Sequence, residues 1–332
     1  MPVPTPDATA LKTDLAGIPL DRPVILAAGT AGTLDEIAGA MPLTDAGAIT
    51  TKSITREPRN GNPPWRVTPL PAGMLNAIGL ANPGVDAFVR DDAPRIGSLP
   101  VPVIGSIAGF SVEDYLAVAS RFEQIEAMAG VELNVSCPNV HGGVEFGVDP
   151  EALAALVREV RAVLVTKRLL VKLSPIVVGR PGMVEIARAA IEPPGATPSG
   201  PNQRLGADAL CLCNTVPAMA IDVRTRRPRL ANITGGLSGP AVHPIALKIV
   251  HDVYRGIARQ TSTPLVGVGG VTRWERAAEF ILAGAAAVQI GTGLFIDPRI
   301  PKRVTRGLAS WVRKQGAGAI SDLVGAVEIA KG

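Results

Sequence analysis

Eight short apolar runs recur along the chain, separated by segments in which apolar residues fall at helical spacing. The runs are PVILAAGT (23–30), AITTKSI (48–54), PVIGSIAG (102–109), VELNVSCPN (131–139), RLLVKLSP (168–175), ADALCLCNTV (207–216), PLVGVGGV (264–271) and AAAVQIGTG (285–293). Such alternation, continued to the C-terminus without a linker, means a parallel α/β sheet. Eight units within one chain of 332 residues predict a closed (β/α)8 TIM barrel with inserted loops over its C-terminal mouth, a single domain over 1–332. An open doubly wound sheet is the lesser option.

Several helix ends are readable. Asp149 followed by Pro150 opens a helix that carries Leu153, Leu156, Val157, Val160 and Leu164 on one face. Thr272 and Glu275 have the spacing of a capping box, and Gly284 suits a left-handed cap at the far end of that helix. Two stretches interrupt the repeat. Residues 55–95 are too long for a βα loop and rich in Gly and Pro, so the backbone bends repeatedly above the second strand. Residues 192–206 (EPPGATPSGPNQRLG) read as a flexible surface excursion before the sixth.

Composition narrows the function classes. With 47% hydrophobic and 19% charged residues the chain can build a large core, and its net charge of +4 is spread out. Aromatics are only 3%, which leaves little material for the stacking platforms of nucleic-acid binders, so no nucleic-acid partner is expected. The four arginines of RTRRPR (224–229) read as a solvated or cofactor-covering β-ribbon. No basic leader with a long apolar stretch and no run of about 18 apolar residues occurs, so the expectation is a cytoplasmic protein that does not enter a membrane. Three cysteines and three histidines, without ligand spacing, argue against a disulfide framework, an iron-sulfur cluster of its own or a metal site.

In a barrel of this kind the chemistry gathers at the C-terminal ends of the strands. There the sequence places Lys52, then Asn134, Cys137 and Asn139, then Lys172, then Asn214 and Thr215. Only eight lysines occur against 25 arginines, and two of the eight fall at these ends. The seventh and eighth strands end in GVGG (267–270) and IGTG (290–293), bare backbone where a phosphate can approach peptide N–H groups beside a helix N-terminus. Cys211 and Cys213 alternate within a strand and read as small buried hydrophobes. Cys137 lies in a loop before Pro138, where a nucleophile, a general base and a buried thiol are all open.

Taken together, NVSCPNVHGGVEFG, LNAIGLANPG, VKLSP, CNT, TGGLSGPA, GVGG and IGTG resemble the class 1B dihydroorotate dehydrogenases, the flavin-bearing catalytic subunits of pyrimidine synthesis, over about residues 20 to 315. The SCPN form of the cysteine loop looks more like these than like the related dihydropyrimidine dehydrogenases. The resemblance implies FMN at the barrel mouth and dihydroorotate or orotate stacked on it, with Cys137 as the base for the C5 proton. It implies a substrate site of Lys52, Asn76, Ala77, Ile78, Gly79, Leu80, Asn134, Asn214 and Thr215. It implies an FMN site of Ala28, Lys52, Ser53, Ser106, Asn134, Lys172, Cys213, Gly239, Gly269, Gly270, Gly291 and Thr292.

It further implies a homodimer and a separate electron-transfer subunit carrying FAD and an iron-sulfur cluster; a free-standing homodimer that reduces fumarate is the alternative. Asparagine carboxamides suit the amide edges of a pyrimidine, and a lysine suits its carboxylate or the charge of a reduced flavin. Two positions depart from the family: Ala28 replaces a common serine and Ser106 a common asparagine, so each is expected to weaken FMN binding by one hydrogen bond, about 0.5–1.5 kcal/mol. A non-redox reading also stands, a phosphate-sugar lyase or isomerase with Lys172 as Schiff base, and beside it a catalytically silent barrel.

Overall fold

A computed structural model describes residues 8–136, 146–175, 179–196 and 204–328. Eight parallel strands close into a barrel: β1 (Val24–Leu26), β2 (Ala48–Thr50), β3 (Val103–Ile107), β4 (Gly130–Asn134), β5 (Arg168–Leu173), β6 (Ala209–Leu212), β7 (Leu265–Val268) and β8 (Ala285–Ile290). Each pairs with its neighbours in chain order, and β8 returns to β1 through Val288 opposite Val24. Every apolar run read from the sequence coincides with one of these strands, β4 alone starting one residue earlier, at Gly130. The strands are shorter than the runs because the final residues of each leave the ladder to form the mouth.

Around the barrel lie α1 (Val112–Glu123), α2 (Pro150–Val163), α3 (Met183–Ile191), α4 (His243–Val253), α5 (Trp274–Ala283) and α6 (Ile300–Lys314). Asp149 caps α2 by accepting from Glu151 N at 2.9 Å and Ala152 N at 3.2 Å, and the five apolar residues picked out for this helix are buried. Gly284 closes α5 at φ +119°. The expected capping box does not form: α5 starts at Trp274, its cap is Arg273, and no side chain caps it. Between β1 and β2 the chain makes only 3-10 turns, Glu36–Gly39 and Leu43–Asp45. Among the described residues no helix is long and apolar enough to cross a membrane.

The barrel interior is apolar at its lower end. Ile25, Ala48, Ile104, Leu170, Ala209, Cys211, Val266 and Ala287 pack there against Leu15, Ile18 and Leu20 of an antiparallel hairpin, Thr13–Leu15 with Ile18–Leu20. Leu15 is wholly buried and the other two nearly so, so the hairpin stoppers the barrel from below. Burial of three such side chains is worth about 1.5–3 kcal/mol each, enough to hold the segment in place.

Residues 55–95 differ from the expected succession of bends. Val67–Leu70 and Gly73–Asn76 form a hairpin, and Thr234–Ser238 and Val216–Met219 extend it into a four-stranded antiparallel sheet. Prolines obscured this in the sequence, yet Pro69 lies on an edge strand, where a missing N–H costs no ladder bond. The arginine segment is a ribbon as expected: Ile221–Asp222 pairs with Arg227–Pro228, and Arg224, Arg226, Arg227 and Arg229 are exposed. Of the 192–206 excursion, residues 197–203 lie outside the described residues, while Arg204 anchors its end on Thr261 O, Ser262 O and Thr263 Oγ1.

Candidate active site

The strand ends carry one connected set of polar side chains. Asn134, at the end of β4, donates from Nδ2 to Ser53 Oγ (3.2 Å) and accepts at Oδ1 from Asn214 Nδ2 (3.1 Å) and from Ser136 N (3.3 Å). Asn214 follows β6, and its Oδ1 accepts from Thr215 N at 2.8 Å. Ser53 and Ser106 share a hydrogen bond of 2.8 Å, and Ser106 N donates to Thr51 Oγ1 at 2.9 Å. Tyr115, wholly buried on α1, holds the Asn134 carbonyl through its hydroxyl at 2.8 Å. Amide orientation in Asn134 and Asn214 is thus fixed from several sides. Lys52, whose N–H donates to Thr33 O, reaches toward the end of β1: a Cβ placed on Gly29 would lie 3.2 Å from its Nζ. Ala28 adjoins that glycine and is half-buried.

Residues 76–80 run above this set. Asn76 Nδ2 donates to Gly236 O at 3.3 Å, and Gly236 in turn has no room for a Cβ because Thr215 Oγ1 fills the space. Gly79 and Leu80 both have left-handed φ, +73° and +57°. For leucine that conformation is costly, and the surroundings hold it. Asn82 Nδ2 donates to Leu80 O (2.7 Å), Asn62 Nδ2 to Ala77 O (3.0 Å), Asn62 N to Ile78 O (3.1 Å), and Ala77 N to Arg66 O (2.8 Å). These supports were missed in the sequence, where they look like ordinary loop polars.

A second group is made of backbone. Gly239, Gly269 and Gly270 have φ of +89°, +147° and +66°. A Cβ on Gly270 would lie 2.7 Å from Gly239 O, and one on Gly239 would lie 2.9 Å from Gly73 Cα and 3.4 Å from Thr292 Cγ2. The glycine turns therefore touch each other, Thr292 and the sheet that carries Asn76. Thr292 Oγ1 donates to Ser238 Oγ at 2.8 Å, and His243 Nδ1 bonds Gly269 O at 2.9 Å. Gly291 adjoins Ala27 and Thr30 at the end of β1.

Beneath the asparagine pair lies a buried ionic cluster. Lys172 Nζ is 3.6 Å from Glu132 Oε1 and donates to Gln289 Oε1 at 3.2 Å, while Gln289 Nε2 donates to Glu132 Oε2 at 2.7 Å. Glu132 and Gln289 were also missed, although a charged and an amide residue inside VELNV and AAVQI, strands apolar on both faces, is a readable signal. Cys213 is buried beside the site, and burial pushes its thiol up to about 12; burial, with Glu132 nearby, raises the Cys211 thiol as well. Both remain thiols at neutral pH. Cys137 lies outside the described residues. Among those described, no group of three or more His, Cys, Asp or Glu could hold a metal ion.

Amides and Lys52 at the strand ends, Lys172 within the barrel and close-packed glycine turns are thus gathered at one end of a closed barrel, and the dihydroorotate dehydrogenase family model matches residues 10–312. The chain belongs to the dihydroorotate dehydrogenase family. It is 43% identical over 324 residues to the dihydroorotate dehydrogenase B (NAD(+)) catalytic subunit of Pelobacter propionicus, covering 97% of this chain and 99% of the relative. It is 44% identical over 315 residues to the protein of the same name from Desulforudis audaxviator, covering 94% and 95%. That of Geotalea uraniireducens is 42% identical over 318 residues, covering 96% and 98%.

Dihydroorotate dehydrogenases are in general flavin enzymes, and the residues present fit such a group. The turns at Gly239, Gly269 and Gly270, packed so closely that a Cβ at any of them would meet neighbouring protein atoms, present backbone without side chains, which suits a phosphate and its ribityl chain. The hydroxyls and amides of Ser53, Ser106 and Asn134 suit a ring edge that both donates and accepts. Ser106 already bonds Ser53, so its hydroxyl is held within the protein.

Proposed function

We propose that this chain oxidises dihydroorotate to orotate in pyrimidine synthesis, with FMN as its cofactor. The reading rests on one observation above all: Asn134 and Asn214 are locked together at the ends of β4 and β6, the two strands that flank the one carrying the buried Lys172, in a chain of this family. Lys52 and the 76–80 backbone hold the substrate carboxylate, and the two asparagines and Thr215 hold the amide edges of the ring. Gly239, Gly269, Gly270, Gly291 and Thr292 hold the FMN phosphate end, and Ala28, Ser53, Ser106, Lys172 and Cys213 border its ring.

Oxidation removes a proton from C5 and a hydride from C6, leaving the C5–C6 double bond. Cys137 takes the C5 proton at its sulfur. FMN, when bound, supplies the two-electron acceptor for the C6 hydride. Lys172 offsets the negative charge that this transfer creates, and the polar ring of Asn134, Asn214 and Ser53 keeps the substrate plane in position. A Schiff base at Lys172 is disfavoured, because that reaction needs a neutral, accessible amine and Lys172 is ion-paired in the barrel interior.

Electrons then pass to NAD through a separate subunit with FAD and an iron-sulfur cluster; the chain acts as a homodimer in the cytoplasm. The relatives' name, catalytic subunit, supports a partner. The test is direct. Purified protein is expected to be yellow, to release FMN on denaturation, and to bleach under anaerobic dihydroorotate with one orotate formed per flavin. Colourless protein after FMN reconstitution, or a flavin that dihydroorotate leaves oxidised, would refute the reading. Affinity purification from the native cell tests the partner, and rapid fumarate reduction by the isolated chain would favour the free-standing alternative.

A further inference from the structure

Glu132 is 0% exposed, and its side chain points into the barrel between the apolar floor and the asparagine pair. A carboxylate in that place loses its water, and an ion pair so enclosed is seldom more stable than a well-packed apolar replacement. Stability therefore gives no reason for it. What it does is hold Lys172, directly at 3.6 Å and through Gln289, which grips the carboxylate with Nε2 at 2.7 Å and the ammonium with Oε1 at 3.2 Å. Gln289 Nε2 also lies 3.4 Å from Thr50 Oγ1 and 3.8 Å from Cys211 Sγ, so its amide is oriented from both sides. The clamp spans β4, β5 and β8, three strands that the barrel keeps in fixed register. Along β4, Glu132 is two residues below Asn134, and Asn134 is the register partner of Lys172.

We infer that Glu132 is a positioning residue for Lys172, which fixes where the ammonium stands and, by opposing part of its charge, lowers the reduction potential of the flavin above it. The inference rests on the FMN reading just given. A reduced flavin is more negative than an oxidised one, so an unopposed Lys172 favours reduction and Glu132 restrains it. Restraint of this kind keeps electrons able to leave. Gln289 carries no charge and acts by geometry alone.

The experiment is anaerobic titration of the FMN-loaded protein against a reference dye. Glu132→Gln, nearly isosteric, is expected to shift the oxidised-to-reduced equilibrium about tenfold toward the reduced form, about 30 mV for a two-electron couple. In a Lys172→Gln background the same change is expected to add less than half of that, since the positioning part of the effect acts through the lysine. A purely structural Glu132 would alter the melting temperature and leave the potential alone, and that result overturns the inference. So does an equal shift in both backgrounds. If Glu132→Gln alone does not fold, Lys172→Gln and the paired Glu132→Gln/Lys172→Gln, which leaves no lone buried charge, are compared: a difference below about 15 mV, half the shift expected with the lysine present, supports the role and a larger one overturns it. Absence of FMN from the unaltered protein would instead strike the functional reading, and this inference with it.

Discussion

Asn214 donates its side-chain amide to the side-chain oxygen of Asn134 across 3.1 Å, tying the end of β6 to the end of β4. Each amide thereby fixes which of its atoms faces the mouth. A substrate ring read by these amides, as proposed, would meet groups already oriented, with little ordering left to do on binding.

Asn134 is the node, since it also bonds Ser53 and Ser136. Asn134→Ala is expected to lower kcat/KM for dihydroorotate by about 10²-fold, on the order of 2–3 kcal/mol for buried groups left without partners. Ser53→Ala, which removes one hydroxyl, is expected to cost no more than about tenfold. Steady-state kinetics on both variants checks the order.

Gly270 has φ +66°, and a Cβ there would lie 2.7 Å from Gly239 O and 3.0 Å from His243 Cβ. Gly270→Ala is expected to strain that turn and to weaken FMN retention by about tenfold or more, with dihydroorotate binding to the reconstituted enzyme little changed. Fluorescence titration of the apoprotein with FMN measures it. Unaltered FMN affinity would remove the glycine turns from the cofactor site.

Cys137→Ser is expected to abolish most dihydroorotate oxidation at neutral pH while the flavin absorbance remains, because serine is a far weaker base. Cys211 and Cys213 are buried thiols, so native alkylation at pH 8 is expected to modify neither. Peptide mapping after iodoacetamide tests that expectation. Activity of the serine variant near the unaltered level would take Cys137 out of the mechanism.

Much of the barrel was legible because burial on both faces leaves a continuous apolar run, and eight such runs stood out from the helices. The site was legible where a polar residue ended a run, as with Asn134, Lys172 and Asn214. The sheet over the mouth was not, since Gly73–Asn76 pairs with Thr234–Ser238 from a distant part of the chain, and neither segment alternates clearly. Glu132 and Gln289 were passed over for another reason. They sit within the runs, where the eye expects only packing, and their meaning appears once β4 and β8 face each other across the barrel.

Burial raises the Cys213 thiol from 9.0 to about 12, so between these values the unfolded chain releases a proton that the folded chain keeps. Folding stability from this group is complete below pH 9 and falls by about 1.4 kcal/mol per pH unit above it. Going from pH 8 to pH 10, Cys213→Ala is expected to lose less stability than the unaltered protein by roughly that amount. Urea midpoints at the two pH values give the comparison, and an equal loss in both proteins would contradict it.

The hairpin wedged under the barrel turns the molecule into a vessel with a sealed base. Leu15, Ile18 and Leu20 fill that end of the barrel, so among the described residues the polar strand ends open only toward the opposite rim, which fuel and exhaust share. Whatever collects the electrons has to wait its turn behind orotate, or draw them off through the wall of residues that frames the opening. Three aliphatic side chains far from the polar strand ends thus confine all molecular traffic to one side of the barrel.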